Sequence, residues 1–122
     1  MKNKPLLIVS GEPYSIFLEI FFKIFKTKLV KNYRRPIILI GSSNLVKMQM
    51  KKMNFSYKIK IIKKGSLGKI KINNKQINIL DINLNYKKPY GKISSKSSKY
   101  IEKCFRTSLD ILKKKNAFAL IN

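Results

Sequence analysis

The sequence predicts an α/β fold built on a parallel sheet, and three features carry that expectation. Leu6–Val9 and Pro36–Ile40 are short continuous apolar runs of the kind found in strands buried on both faces. Each is followed by a turn or capping group, Ser10-Gly11-Glu12-Pro13 and Gly41-Ser42-Ser43-Asn44. Each group then leads into a segment with apolar residues at helical spacing, so strand, helix, strand, helix opens a βαβ arrangement.

Taken in order, the first strand covers Leu6–Val9 and the first helix runs from Tyr14 to Lys26, where Phe17, Ile20, Phe21, Ile24 and Phe25 recur at helical spacing. The second strand covers Pro36–Ile40, and the helix after it carries Leu45, Met48 and Met53. Alternation of apolar and polar residues predicts half-solvated strands over Tyr57–Ile62 and Gly68–Ile72. A further strand over Gln76–Asp81 follows the Asn73-Asn74 turn, and Asn83 to Gly91 reads as a loop punctuated by Pro89 and Gly91. A long helix is expected from Ser94 or Ser95 to Lys115, burying Tyr100, Ile101, Cys104, Phe105, Leu109 and Leu112. Its Lys113-Lys114-Lys115 end suits the negative pole of the helix dipole. The last strand, Ala117–Asn122, ends where a functional loop would begin, which leads us to expect the front segment of a larger enzyme.

Charge suggests a different story. The 122 residues hold 28 Lys+Arg against 5 Asp+Glu, a net charge of +23, which by itself favours a polyanionic partner. Only Arg34, Arg35 and Arg106 are arginines, and the rest is a Lys/Ile/Asn-rich composition typical of AT-rich codons. A phosphate-reading surface uses the planar arginine fork, so the charge is read as genomic bias more than as a binding site. Cys104 is the sole cysteine, which rules out an internal disulfide and agrees with a reducing cytoplasm. There is no histidine, so the commonest general base and transition-metal ligand is missing. The apolar stretch Ile16–Phe25 contains Glu19 and Lys23 and falls short of the roughly 20 residues of a membrane span, so a soluble cytoplasmic chain with no membrane partner is expected.

The leading candidate site is Ser10-Gly11-Glu12-Pro13, between the first strand and first helix, where backbone N–H groups and a flexible glycine face whatever binds at the strand ends. An ordinary strand-to-helix turn is the alternative. Asn122, closing the last strand, would sit near the crevice or be a frayed end, and Ser42-Ser43 could hold an anion or simply cap a helix. Lys58, Lys60, Lys69 and Lys71 could form a cationic strand face with Tyr57 or Tyr86 stacking on bases, or a solvated surface. Cys104 is expected to be a buried structural thiol, and Met48, Met50 and Met53 core or gap-filling residues.

Three segments resemble the N-terminal part of the 4-hydroxythreonine-4-phosphate dehydrogenase family, of the isocitrate/isopropylmalate dehydrogenase-like group. They are Val9-Ser10-Gly11-Glu12-Pro13 through Glu19, Pro36–Ser42 with the Leu/Met-rich helix after it, and Ser94 through Asn122. The resemblance implies a partial isocitrate/isopropylmalate dehydrogenase-like sheet with flanking helices, incomplete at the C-terminus, with residues 1–122 forming one N-terminal α/β segment. It further implies an enzyme that oxidises and decarboxylates 4-phosphooxy-threonine with NAD or NADP and a divalent metal, as a homodimer, in pyridoxal phosphate biosynthesis. Gly11, Glu12 and Pro13 would border the cofactor, whereas no catalytic or metal-binding residue is assigned within these residues. The chain departs from the family pattern with Ser15, Phe17 and Leu18 where Gly, Gly and Pro are usual, and it lacks the family's metal-holding histidines. Such a segment is expected to be inactive alone and to expose apolar surface on its last helix and strand. A small basic nucleic-acid-binding protein is the rival from another class; steep salt dependence of binding would reveal it.

Overall fold

The computed structural model describes residues 4–11, 13, 16–84 and 95–121. Five strands form one sheet: β1 (Leu6–Val9), β2 (Ile37–Gly41), β3 (Ile59–Ile62), β4 (Ile77–Asp81) and β5 (Ala119–Ile121). Their order is β3-β4-β2-β1-β5, and every neighbouring pair is parallel. The register runs Leu6↔Ile37 and Val9↔Ile40 between β1 and β2, and Leu6↔Ala119 between β1 and β5. The helices are α1 (Phe17–Phe25), α2 (Lys28–Asn32), α3 (Ser43–Lys52) and α4 (Ser95–Lys113). A parallel sheet needs cover on both faces, and right-handed crossovers assign it. The steps from β1 to β2 and from β2 toward β3 move in one direction, which puts α1, α2 and α3 on one face. The returns from β3 to β4 and from β4 to β5 put residues 63–76 and α4 on the other. Packing agrees: α1 meets α2 and α3, while α4 lies across β1, β2 and β5.

The core forms where these layers meet the central strands, with Leu7, Ile38, Leu39, Ile40 and Ile79 fully buried. On the α1 face an aromatic cluster fills the space, with the Phe22 ring 5.5 Å from Phe55 and Phe25 4.9 Å edge-on from Tyr57. On the other face α4 presents Tyr100, Cys104, Ser108 and Ile111 inward.

Several boundaries differ from expectation. Helix α1 begins at Phe17; Tyr14 and Ser15 lie outside the described residues. It buries Leu18, Phe22 and Phe25 and leaves Ile20 and Ile24 about half exposed. Since α1 is apolar on nearly every side, spacing could not select the inner face, and Phe22 occupies it because its ring meets Phe55 and Tyr57. Residues Gly68–Ile72 form no strand. They belong to the crossover between the parallel neighbours β3 and β4, where a turn carries Gly68 at φ +83° and the Lys69 amide donates to the Ser66 carbonyl. Helix α4 turns Leu109 outward, 56% exposed, because the inner stripe runs through residues 104, 108 and 111. Phe118 and Ile121 are also exposed, as expected for the last helix and strand, though Leu29 and Ile16 on the other face are more so. The loop predicted over Asn83–Gly91 falls largely outside the described residues. Among the described residues, no helix is long and apolar enough to cross a membrane.

Two asparagines do work that the turn reading understates. Asn74 Oδ1 accepts from the Ile37 amide at 2.7 Å, while its Nδ2 donates to the Arg35 carbonyl at 2.8 Å and the Tyr33 carbonyl at 3.3 Å. Asn78 Nδ2 donates to the carbonyls of Asn73 and Ile37. These buried side chains tie the amino end of β2 to the end of the crossover, supplying partners for backbone groups beyond the reach of the ladder.

Candidate functional site at the carboxyl ends of the strands

Parallel order brings the ends of β1, β2 and β4 side by side, where open α/β sheets bind their ligands. A buried polar cluster forms the floor there. The Tyr100 hydroxyl, reaching over from α4, accepts from the Ser42 amide at 2.8 Å and shares a hydrogen bond with Ser10 Oγ at 3.1 Å. Gly41 makes that approach possible. A Cβ on Gly41 would lie 2.7 Å from Ser10 Oγ and 2.9 Å from the Tyr100 hydroxyl, closer than a methyl group tolerates. The Ser10 amide donates to the Ile40 carbonyl at 3.2 Å, which extends the pairing of β1 with β2 past the last ladder residue.

The start of α3 is satisfied from within the chain. Ser42 Oγ accepts from the Leu45 amide at 3.1 Å, and Asp81 Oδ1, at the end of β4, accepts from the Ser43 amide at 2.7 Å. Ser42 is therefore the helix cap, as the capping alternative held, and Asp81 already supplies a carboxylate to the Ser43 N–H that a bound anion would otherwise use. Asp81 was missed as a candidate, although an acid closing a strand, in a chain with five acids, was the available signal.

Gly11, just after β1, has φ +69°, a left-handed conformation that glycine adopts without steric cost. Pro13 is buried; Glu12 lies outside the described residues, as do Asn122 and Tyr86. At this end of the sheet Ser10, Gly41, Ser42 and Tyr100 thus pack as one cluster, and Gly11 follows Ser10 directly in the chain. Burial pushes the Tyr100 hydroxyl well above the ordinary phenol range, reinforced by the neighbouring Cys104. Burial likewise pushes the Cys104 thiol up to about 11, against smaller downward pulls from its hydrogen bond with Tyr100 and from Lys103. Cys104 is fully buried, so it is structural, as predicted.

Other candidates disperse. Tyr57 is committed to the core edge, its hydroxyl donating to the Phe22 carbonyl at 2.9 Å and its ring packed between Phe25 and Phe55, so it is not a base-stacking platform. Lys69 and Lys71 lie in the crossover and share no strand with Lys58 and Lys60. Met50 is buried, with its sulfur accepting from the Tyr57 amide, and Met48 and Met53 are half-buried. No cluster of three metal-ligating side chains occurs among the described residues. The acids are also used elsewhere: Glu19 pairs with Lys23, Glu102 with Arg106, and Asp110 with Lys64 and Lys114. The donor set among the described residues therefore does not fit the divalent metal that the family resemblance implies.

A five-stranded parallel sheet covered on both faces defines an α/β fold, one that solved dehydrogenase structures share. More particularly, the fold is that of part of 4-hydroxythreonine-4-phosphate dehydrogenase. The structure of that enzyme from Burkholderia phymatum superposes with a TM-score of 0.81 at 14% identity, over 98% of this chain and 36% of the other. The enzyme from Klebsiella pneumoniae gives 0.78 at 17% identity, over 97% of this chain and 36% of the other. The chain thus spans about a third of the length of these relatives, and at such identities the likeness establishes the fold. No protein-family model matches the sequence, and no curated protein is significantly similar to it.

Proposed function

We propose that the chain is the N-terminal segment of a 4-hydroxythreonine-4-phosphate dehydrogenase-type oxidoreductase, contributing one wall of its nucleotide and substrate crevice. The observation that carries this reading is structural likeness to solved enzymes of that kind over nearly the whole chain. The segment's own contribution is positioning: the Tyr100, Ser10 and Ser42 cluster beside Gly41 lies at the strand ends, where the backbone of Gly11, Glu12 and Pro13 would border NAD or NADP. The nicotinamide supplies the hydride acceptor when bound. No residue of this chain is assigned to metal binding or to decarboxylation. The phosphorylated threonine substrate, a homodimeric assembly and a cytoplasmic setting in vitamin B6 biosynthesis belong to the same proposal. These residues alone are not expected to turn over substrate.

The test is a titration of the purified chain with NAD and NADP, followed through the Gly11 and Ser42 amide resonances, beside a turnover assay with 4-phosphooxy-threonine. Saturable shifts at both amides without turnover support the reading. Unchanged Gly11 and Ser42 resonances at millimolar nucleotide would remove the loop from the cofactor site.

A further inference from the structure

At the opposite end of the sheet lies a cleft of about 480 Å³, within the usual range of small-molecule sites. Lys4, Arg34, Lys71 and Lys115 line it over a floor that includes Leu67 and Ile70. We propose that this cleft binds a small organic phosphate, the anion facing the cationic rim and the apolar body resting on the floor.

Three observations converge. None of the described residues lining the cleft is acidic, whereas Asp110, nearby on α4, is held by Lys64 and Lys114. The carboxyl end of α4 brings about half a negative charge through its dipole, which the charges of Lys4, Lys71 and Lys115 outweigh. The walls are also set in place before any ligand arrives. The Leu6 amide donates to the Pro36 carbonyl and the Phe118 amide to the Pro5 carbonyl, both at 2.8 Å. Arg35 adds a clamp, its Nη1 donating to the Lys4 carbonyl at 3.3 Å while its guanidinium stacks 3.5 Å above the Phe118 ring. Lys115 enters the cleft from a left-handed turn, φ +61°, at the position after a helix where glycine is usual. A polynucleotide is the poorer fit, because no aromatic ring lines the cleft among the described residues for bases to stack on.

The experiment is a titration of the intact chain with phenyl phosphate, inorganic phosphate and phenol, read from the Leu67 and Ile70 resonances, at fixed ionic strength because exposed charges are screened. Saturable 1:1 binding of phenyl phosphate, tighter than inorganic phosphate and absent for phenol, is expected. Lys71→Ala should weaken it by about fivefold or more, the effect of losing one charge-assisted contact. Lys115→Gly should do the same without loss of stability, since glycine suits that backbone; Lys28→Ala, remote on α2, should change nothing. Shifts that never saturate, equal weakening by Lys28→Ala, or oligouridylates that bind more tightly with length and displace phenyl phosphate would each overturn the proposal.

Discussion

Gly41→Ala tests the floor of the candidate site most sharply. The added Cβ would meet Ser10 Oγ at 2.7 Å and the Tyr100 hydroxyl at 2.9 Å. Ser10 Oγ can rotate away, but only by giving up its 3.1 Å hydrogen bond, worth about 1 kcal/mol. Tyr100 is held on a helix in the core and can move little. Together these place the cost of Gly41→Ala at roughly 1–3 kcal/mol, the range for overpacking. Tyr100→Phe costs a similar amount by a different route, since the buried Ser42 amide loses its acceptor, a penalty of about 1–3 kcal/mol. In the double variant the phenyl ring no longer presents an oxygen to the new methyl group, and Ser10 rotates with no hydrogen bond to lose. The two changes should therefore combine to less than their sum, by about 1 kcal/mol or more. Urea unfolding of the four proteins, followed by circular dichroism, measures this coupling. Additivity within about 0.5 kcal/mol would refute the contact geometry on which the site rests.

Three further outcomes are expected. Asn74→Ala should destabilise the chain by about 1–3 kcal/mol in the same unfolding assay, because it leaves the Ile37 amide without its acceptor, whereas Lys75→Ala beside it, on an exposed side chain, should be near neutral. Phe22→Ala should cost about 3–5 kcal/mol, since it empties the centre of the aromatic cluster. Stability should also fall as the solution becomes alkaline. The Cys104 thiol titrates near 9 when unfolded and about 11 when folded, so between those values the unfolded state sheds its proton first and stability declines by up to about 1.4 kcal/mol per pH unit. Tyr100, also raised, extends the decline upward from about pH 10. Cys104→Ala should flatten the lower part of this profile relative to the parent, and identical pH slopes in the two proteins would count against the buried thiol.

Strands of the central sheet were legible in the sequence because β1 and β2 are continuous apolar runs closed by turn residues, a pattern with few other solutions. The spurious strand at Gly68–Ile72 shows where such reading fails: its alternation is genuine, but β3 and β4 lie side by side in parallel, and the link between them has to cross the sheet. Local pattern carries no information about which strands become neighbours. The same limit applied to α1, where apolar residues on every side concealed the inner face until Phe55 and Tyr57 were in place. At the candidate site, Gly11 was singled out from its position after a strand. The partnership of Tyr100 with Ser10 and Ser42 was not, because it joins residues 90 and 58 positions apart and depends on the missing side chain of Gly41. Asn74 was read as a turn residue, although its side chain acts across the chain on β2.

Reading the coding frame beyond Asn122 tests the proposal that these residues form the front wall of a dehydrogenase crevice. A frame that continues through a Gly-Pro loop into histidine-bearing segments is the predicted result. A stop codon with no downstream remnant of such segments would contradict it.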